Sequence, residues 1–348
     1  MRYSELVANS LKKFKNQDKA ADLQLLLEEA FHLTREQSWM KRNEEIADRK
    51  ALKRFYRYRQ RLSKDEPVAY ILKKKEFYGE TFFIDRGVLI PRPETEILVE
   101  QAIGLIKKPV DILDIGTGSG VIAILLAKQT GSTVTAVEKS RRALAVLEKN
   151  IDLHGVAGKV KPVCRDLFPA VGGFDMIVSN PPYVTEAEWR ELEPHVRDYE
   201  PREALAAGED GLAIIRRIVA GAPRFLRPGG ILLMEIGYNQ QEPVREILQE
   251  SPFARVAFYQ DYSNIPRVVF AQLQLNQGGS FRENRPAGPP AKAFNKKFLE
   301  AQEGAGSPSL LKFTRRVPSL TLNTNTNTRI KGSRSPGTAI HMIGARCR

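Results

Sequence analysis

The sequence predicts an α/β fold: a mostly parallel sheet, closed by an antiparallel last hairpin, behind a small N-terminal helical domain. Three observations predict it. From about residue 97, short runs of branched and aromatic residues alternate with helix-period stretches, the pattern of strands joined by helices that cover both faces of a sheet. The first 73 residues are rich in Leu, Ala, Glu, Lys and Arg, with no proline before Pro67 and no glycine before Gly79, so only polar loops punctuate their helices. After Leu275 the chain turns basic and rich in glycine and proline, with the polar run LNTNTNTR. Such a tail buries too little apolar surface to offset its chain entropy, and it reads as disordered.

In chain order, AADLQLLLEEAFHL has helical spacing and RNEEIADRKALKRFYRYRQRL extends the helical domain to residue 73. The segment KEFYGETFFIDRGVLIPRPETE, broken by Gly79, Gly87 and two prolines, reads as a β-hairpin linker over 74–96 that ends in a stiff turn. Strands are expected at 110–116, 133–138, 159–166, 174–180, 229–237, 255–262 and 267–274, with helices near 120–129, 141–154, 210–226 and 239–250. A short linker containing Pro266 joins the last two strands, which calls for an antiparallel pair. The expected domains are therefore 1–73, 74–96, 97–275 and the 276–348 tail.

Composition narrows the function. The net charge is +13, but residues 276–348 hold 13 of the basic residues against 3 acidic ones, so the body is nearly balanced. That weakens a nucleic-acid reading for everything except the tail. Two cysteines, Cys164 and Cys347, exclude a disulfide framework and suit a reducing compartment. The four histidines are far apart, without metal-ligand spacing, and no metal is expected. No apolar run reaches a membrane span and the N-terminus lacks a secretory core. A cytoplasmic monomer without membrane contact is the expectation.

The strand DILDIG runs into Gly116-Thr117-Gly118-Ser119-Gly120 and then the helix VIAILLAK. Glycines let a ligand approach the backbone, and the helix N-terminus attracts a carboxylate or phosphate. Asp114 is placed to hold an ammonium group, Glu138 to accept from two ribose hydroxyls, Asp166 to hold an adenine amino group and Leu167 to pack on the ring. The loop alone suits S-adenosylmethionine or a dinucleotide, since Gly118 to Ala123 also fits GxGxxA.

The fourth strand ends in Ser179-Asn180-Pro181-Pro182-Tyr183, and this favours S-adenosylmethionine. Two prolines remove backbone donors and stiffen the loop, so it presents acceptors. The Asn180 side chain and the Pro181 carbonyl suit the two hydrogens of a planar NH2, with Pro182 beside them and Tyr183 stacked on the conjugated plane. Such a nitrogen is a poor nucleophile. Accepting both hydrogens raises its electron density, and alignment with an activated methyl group supplies much of the remaining advantage.

The same tetrapeptide occurs in adenine-N6 and cytosine-N4 methyltransferases, so a nucleic-acid amino-methyltransferase stays open as the alternative. The wider blocks resemble another family. PVAYILKKKEFYGETFFIDRGVLIPRPETEILVE, DILDIGTGSGVIAI, IVSNPPYV, VRDYEPREALAAGEDGL and PGGILLMEIGYNQ are similar to the release-factor glutamine N5-methyltransferases (the HemK/PrmC type), over roughly residues 1–275. The resemblance implies a Rossmann-like class I methyltransferase sheet with S-adenosylmethionine as cofactor. It implies class 1 peptide chain release factors as partners, methylated at the Gly-Gly-Gln glutamine. Gly116 to Gly120, Glu138, Leu167 and Asn180 are the implied cofactor contacts, and Asn180 to Tyr183 the glutamine clamp. Arg92 to Thr95 are expected to wall the site, and Arg197 and Glu200 either to position the loop after the clamp or to form a plain surface salt bridge. Nucleic acid is not required, beyond a weak ribosome or RNA contact through the basic tail. Three departures stand out: Glu138 where Asp is more usual, Lys73 where glycine is common, and SNIPRVV in place of a glycine-containing turn.

Overall fold

The computed structural model describes residues 1–14 and 19–275; the expectations of disorder and RNA contact for 276–348 fall outside them. Five helices come first: α1 (Tyr3–Leu11), α2 (Ala20–Phe31), α3 (Arg35–Met40), α4 (Arg49–Leu62) and α5 (Val68–Leu72). Their apolar stripes meet in one cluster built from Leu6, Leu23, Leu26, Leu27, Phe55 and Leu62. Local chemistry sets the ends. Thr34 and Gln37 form a reciprocal capping box on α3, and the Asp48 carboxylate accepts from the Lys50 and Ala51 N–H groups at the start of α4.

Helix α5 ends at Lys73, which adopts the left-handed conformation at φ 57°. The chain then forms the hairpin β1 (Lys74–Phe77) and β2 (Glu80–Phe83). Tyr78 and Gly79 both have positive φ, 53° and 71°, as a two-residue turn matched to strand twist requires.

The remaining elements alternate as expected. They are α6 (Thr95–Leu105), β3 (Asp111–Ile115), α7 (Val121–Thr130), β4 (Thr133–Glu138), α8 (Arg141–Leu153), β5 (Val160–Cys164) and β6 (Phe174–Ser179), then α9 (Glu186–Glu191), α10 (Pro194–Arg197), α11 (Ala213–Gly221), β7 (Leu226–Glu235), α12 (Gln241–Gln249), β8 (Phe253–Gln260) and β9 (Pro266–Leu273). The sheet order is β5-β4-β3-β6-β7-β9-β8. The first five strands are parallel, and β9 runs antiparallel to both neighbours. Helices cover both faces, with Leu125 and Val134 in one apolar cluster and Ile177 and Ile215 in the other.

This is the predicted architecture, with two additions. Helix α6 was not among the expected helices, and the short α9 and α10 fill the stretch after the clamp. The chain lays down β3, β4 and β5 in one direction and then crosses to β6 on the other side of β3. The loops after β3 and β6 diverge there and leave a crevice, where ligands bind in sheets of this kind.

Candidate active site

The crevice is real and sits at the ends of β3, β4 and β6. A cavity of about 130 Å³ is lined by Gly116, Thr117, Gly118 and Ser119, by Glu138, by Asp166 and Leu167, and by Asn180, Pro181 and Pro182. The loop that forms its floor is folded tightly: the Gly116 and Thr117 N–H groups both donate to the Val137 carbonyl, and Gly120 N–H donates to Thr117. Gly116 and Gly118 take φ of 69° and 56°, a region that side chains rarely tolerate.

Three of the residues expected to contact cofactor or glutamine stand outside the lining of this cavity. Asp114 is fully buried under the loop and outside the cavity lining. Its Oδ2 accepts the Thr117 hydroxyl at 2.6 Å, while Oδ1 has no partner among the described residues. Burial pushes its pKa up to about 7, against the Thr117 and Ala123 hydrogen bonds that lower it. Gly120 also faces inward; a Cβ there would come within 2.3 Å of Leu147 Cδ1, so this glycine lets α7 pack on α8. Tyr183 lines a smaller adjoining cavity instead.

Other predicted residues sit at the cavity with partners already engaged. Glu138 accepts from the Gly118 N–H at 3.1 Å and the Ser140 N–H at 2.8 Å, so the carboxylate expected to accept from two ribose hydroxyls already accepts from two backbone N–H groups. Asp166 forms a half-exposed ion pair with Arg217 at 2.6 Å. Leu167 has φ 63°, an uncommon conformation for a bulky side chain and one concentrated at binding sites.

The clamp is braced from several sides. Ser179 Oγ donates to the Ile115 carbonyl at 2.8 Å, tying β6 to β3. Asn180 Nδ2 donates to Thr95 Oγ1 at 3.0 Å, which leaves Oδ1 as an acceptor. No group among the described residues donates to the Pro181 carbonyl. The Tyr183 hydroxyl donates to Glu235 at 3.1 Å. Burial and the Glu235 charge push its pKa up, so it remains a neutral phenol. Gln240 Nε2 donates to the Tyr183 carbonyl at 3.0 Å and to Gly211.

A smaller cavity of about 30 Å³ lies beside the first, walled by Arg92, Tyr183, Val184 and Leu205. The two share Leu89, Asn180, Pro181, Pro182 and Ala204. Arg92 donates to Glu200 at 2.6 Å, and Glu200 also accepts the Ile90 N–H at 3.0 Å. Glu200 therefore braces the proline turn from a buried position, whereas Arg197 pairs with Asp198 at the surface. Thr95 lines the main cavity, but Pro93 and Glu94 line neither.

Residues 5–72 match the family model described as the PrmC N-terminal domain, and residues 94–192 that of the methyltransferase small domain. The release factor glutamine methyltransferase of Geobacter sulfurreducens is 44% identical over 216 residues, covering 61% of this chain and 75% of that protein. That of Clostridium acetobutylicum is 36% identical over 258 residues, covering 72% of this chain and 90% of its own. The chain belongs to the release factor glutamine methyltransferase family.

The cofactor of such a methyltransferase is S-adenosylmethionine, and the main cavity fits it. Left-handed glycines open the floor, Glu138 offers carboxylate oxygens at a strand end, and Leu167, Ile214 and Ile218 make an apolar wall. Sequence reasoning missed the buried Asn150, which ties this family member's hairpin to its glycine loop. Asn150 Nδ2 donates to the Phe83 and Ser119 carbonyls at 3.0 and 2.8 Å, and its Oδ1 accepts the Phe83 N–H at 2.7 Å. A polar residue on the apolar face of α8 was the only signal for it.

Proposed function

We propose that this chain methylates the side-chain amide nitrogen of the glutamine in the Gly-Gly-Gln loop of class 1 peptide chain release factors. One observation carries the reading. Two cavities meet at Asn180, Pro181 and Pro182, the place where two acceptors have no donor among the described residues. The larger suits the nucleoside cofactor. The smaller opens onto the same three residues from the side of Tyr183, where the amide tip of a substrate glutamine would meet the transferred methyl group.

The residues then divide the work. Gly116 to Ser119, Glu138 and Leu167 would hold S-adenosylmethionine, which when bound supplies a methyl group activated by its sulfonium. Asn180 Oδ1 and the Pro181 carbonyl accept the two amide hydrogens and hold the nitrogen in one orientation. They also stabilise the positive charge that develops on it. Tyr183, fixed by Glu235, supplies a flat face for the amide plane. The apolar walls Leu89, Pro182 and Val184 exclude water, which strengthens each polar contact. No strong base is needed before attack, because the nitrogen sheds its proton after the bond forms.

Peptide mass analysis of a release factor incubated with enzyme and cofactor tests the reading. One added methyl on the Gly-Gly-Gln peptide is expected, with none on DNA, rRNA or tRNA in parallel. An unmodified, folded release factor alongside a methylated nucleic acid would overturn it. Among the described residues no helix is long and apolar enough to cross a membrane, and no cluster of three or more His, Cys, Asp or Glu side chains is arranged to hold a metal ion.

A further inference from the structure

Glu235 ends β7 and is 1% exposed, a costly place for a carboxylate. One of its oxygens accepts the Tyr183 hydroxyl; the other, Oε2, is buried without a hydrogen-bond partner among the described residues. Thr95, 2% exposed at the start of α6, lies between Glu235 and Asn180. Its oxygen accepts from Asn180 Nδ2, so its own proton must point elsewhere. The Glu235 carboxylate is near enough for the Thr95 hydroxyl to draw its pKa down, and its unpartnered Oε2 is the acceptor open to that proton.

We propose that Glu235 is a positioning residue of the clamp: through the Thr95 hydroxyl it sets which end of the Asn180 amide faces the substrate, and through the Tyr183 hydroxyl it holds the aromatic wall. This inference rests on the glutamine-methylation reading. The physical reason is that the two ends of an asparagine amide are nearly equal in shape and opposite in polarity. With Oδ1 inward, Asn180 accepts the substrate's hydrogen. Flipped, it presents N–H donors to an NH2 that is itself a donor. Thr95 alone does not choose, since a hydroxyl donates or accepts equally well. An ionised carboxylate takes the Thr95 proton and leaves only lone pairs for Asn180. The chain Asn180 to Thr95 to Glu235 then has one polarity. A protonated Glu235 donates to Thr95 and releases that polarity.

The state of Glu235 is poised for such a choice. Burial pushes its pKa up to about 7, opposed by the Thr95 and Tyr183 hydroxyls. Of the charges facing it, Glu94 ahead of α6 raises it and Arg267 on β9 lowers it. Arg267 is itself paired with Asp261 at 3.0 Å.

The test compares the wild-type protein with Glu235→Gln, a change that keeps size but offers one acceptor where two hydroxyls need one each. Single-turnover methylation of the release factor should fall roughly ten- to a hundredfold, as when an outer partner that orients a ligand is lost, with KM for the release factor little changed. The wild-type rate should rise with pH through an apparent pKa near 7, and this limb should vanish in the variant. In 15N-labelled protein without substrate, the Asn180 side-chain amide signals should move over the same pH range in wild type only. Glu235→Asp should restore part of the limb. A variant with the wild-type pH profile, or Asn180 signals that ignore pH in the wild type, would overturn the inference. If the wild type fails to methylate the release factor, the functional reading fails, while the substrate-free Asn180 titration still judges the role of Glu235.

Discussion

On the proposed reading Asn180 concentrates the chemistry in one side chain, because Thr95 takes an Asn180 N–H and the amide oxygen is left to accept from the substrate. Asn180→Ala removes that acceptor without disturbing the two prolines. The turnover number should drop about 10²–10³-fold, in the range of losing one preorganised polar contact. KM for the release factor should change little, because the rest of the partner binds elsewhere. Steady-state kinetics with a purified release factor decides this, and an equal loss in both parameters would mean a collapsed site. This residue was legible in the sequence, since a strand ending in Asn-Pro-Pro-Tyr announces acceptors. The partners that orient it were harder to read: Thr95 lies 85 positions away in sequence from Asn180, and only the fold brings them together. Asp114 shows the opposite limit. Its place before the glycine loop suggested a ligand contact, but a carboxylate one residue deeper in the strand points under the loop and braces Thr117.

At the scale of elements, strand and helix positions followed from hydrophobic period, whereas turns and ties followed from backbone constraints that composition hides. Lys73 stands where glycine is common in the family resemblance, Asn264 lies in the SNIPRVV stretch that replaces a glycine-containing sequence, and both adopt positive φ, 57° and 61°. The turns are kept and their strain is accepted. Lys73→Gly should therefore stabilise the protein by about 0.5–1 kcal/mol, the left-handed penalty for a Cβ less the extra entropy of an unfolded glycine. Urea unfolding reads this directly, and a destabilised variant would show that the ion pair of Lys73 with Asp85 outweighs the strain. Asn150 makes the opposite case. Its three hydrogen bonds join β2, α8 and the glycine loop, and Asn150→Ala leaves buried backbone groups unpaired. A loss of about 2–4 kcal/mol is expected, together with weaker S-adenosylmethionine binding by calorimetry, since the loop loses its anchor at Ser119.

For the whole molecule, buried carboxylates set how stability responds to pH, and they pull in two directions. Arg61 and Arg86 hold the Glu66 carboxyl below its ordinary range, and Asp175 is held down by Arg227. Such groups add stability that is present above their unfolded pKa and lost as pH falls through the folded one. Asp114 and Glu235 do the reverse. Burial pushes both up to about 7, so the folded protein keeps protons that the unfolded chain has already released. Their contribution is full below the ordinary carboxylate range and is lost as pH rises through about 7. Each steepens the fall by up to about 1.4 kcal/mol per pH unit in that window. The thermal midpoint of the protein without cofactor should then peak near about pH 5 and decline toward neutrality before levelling off. The double variant Asp114→Asn with Glu235→Gln should flatten the decline, while Glu66→Gln should change only the acid side. A midpoint that climbs steadily from pH 5 to pH 7.5 would mean that both buried carboxylates ionise freely in the fold. In that case Glu235 could not switch the clamp within the physiological range.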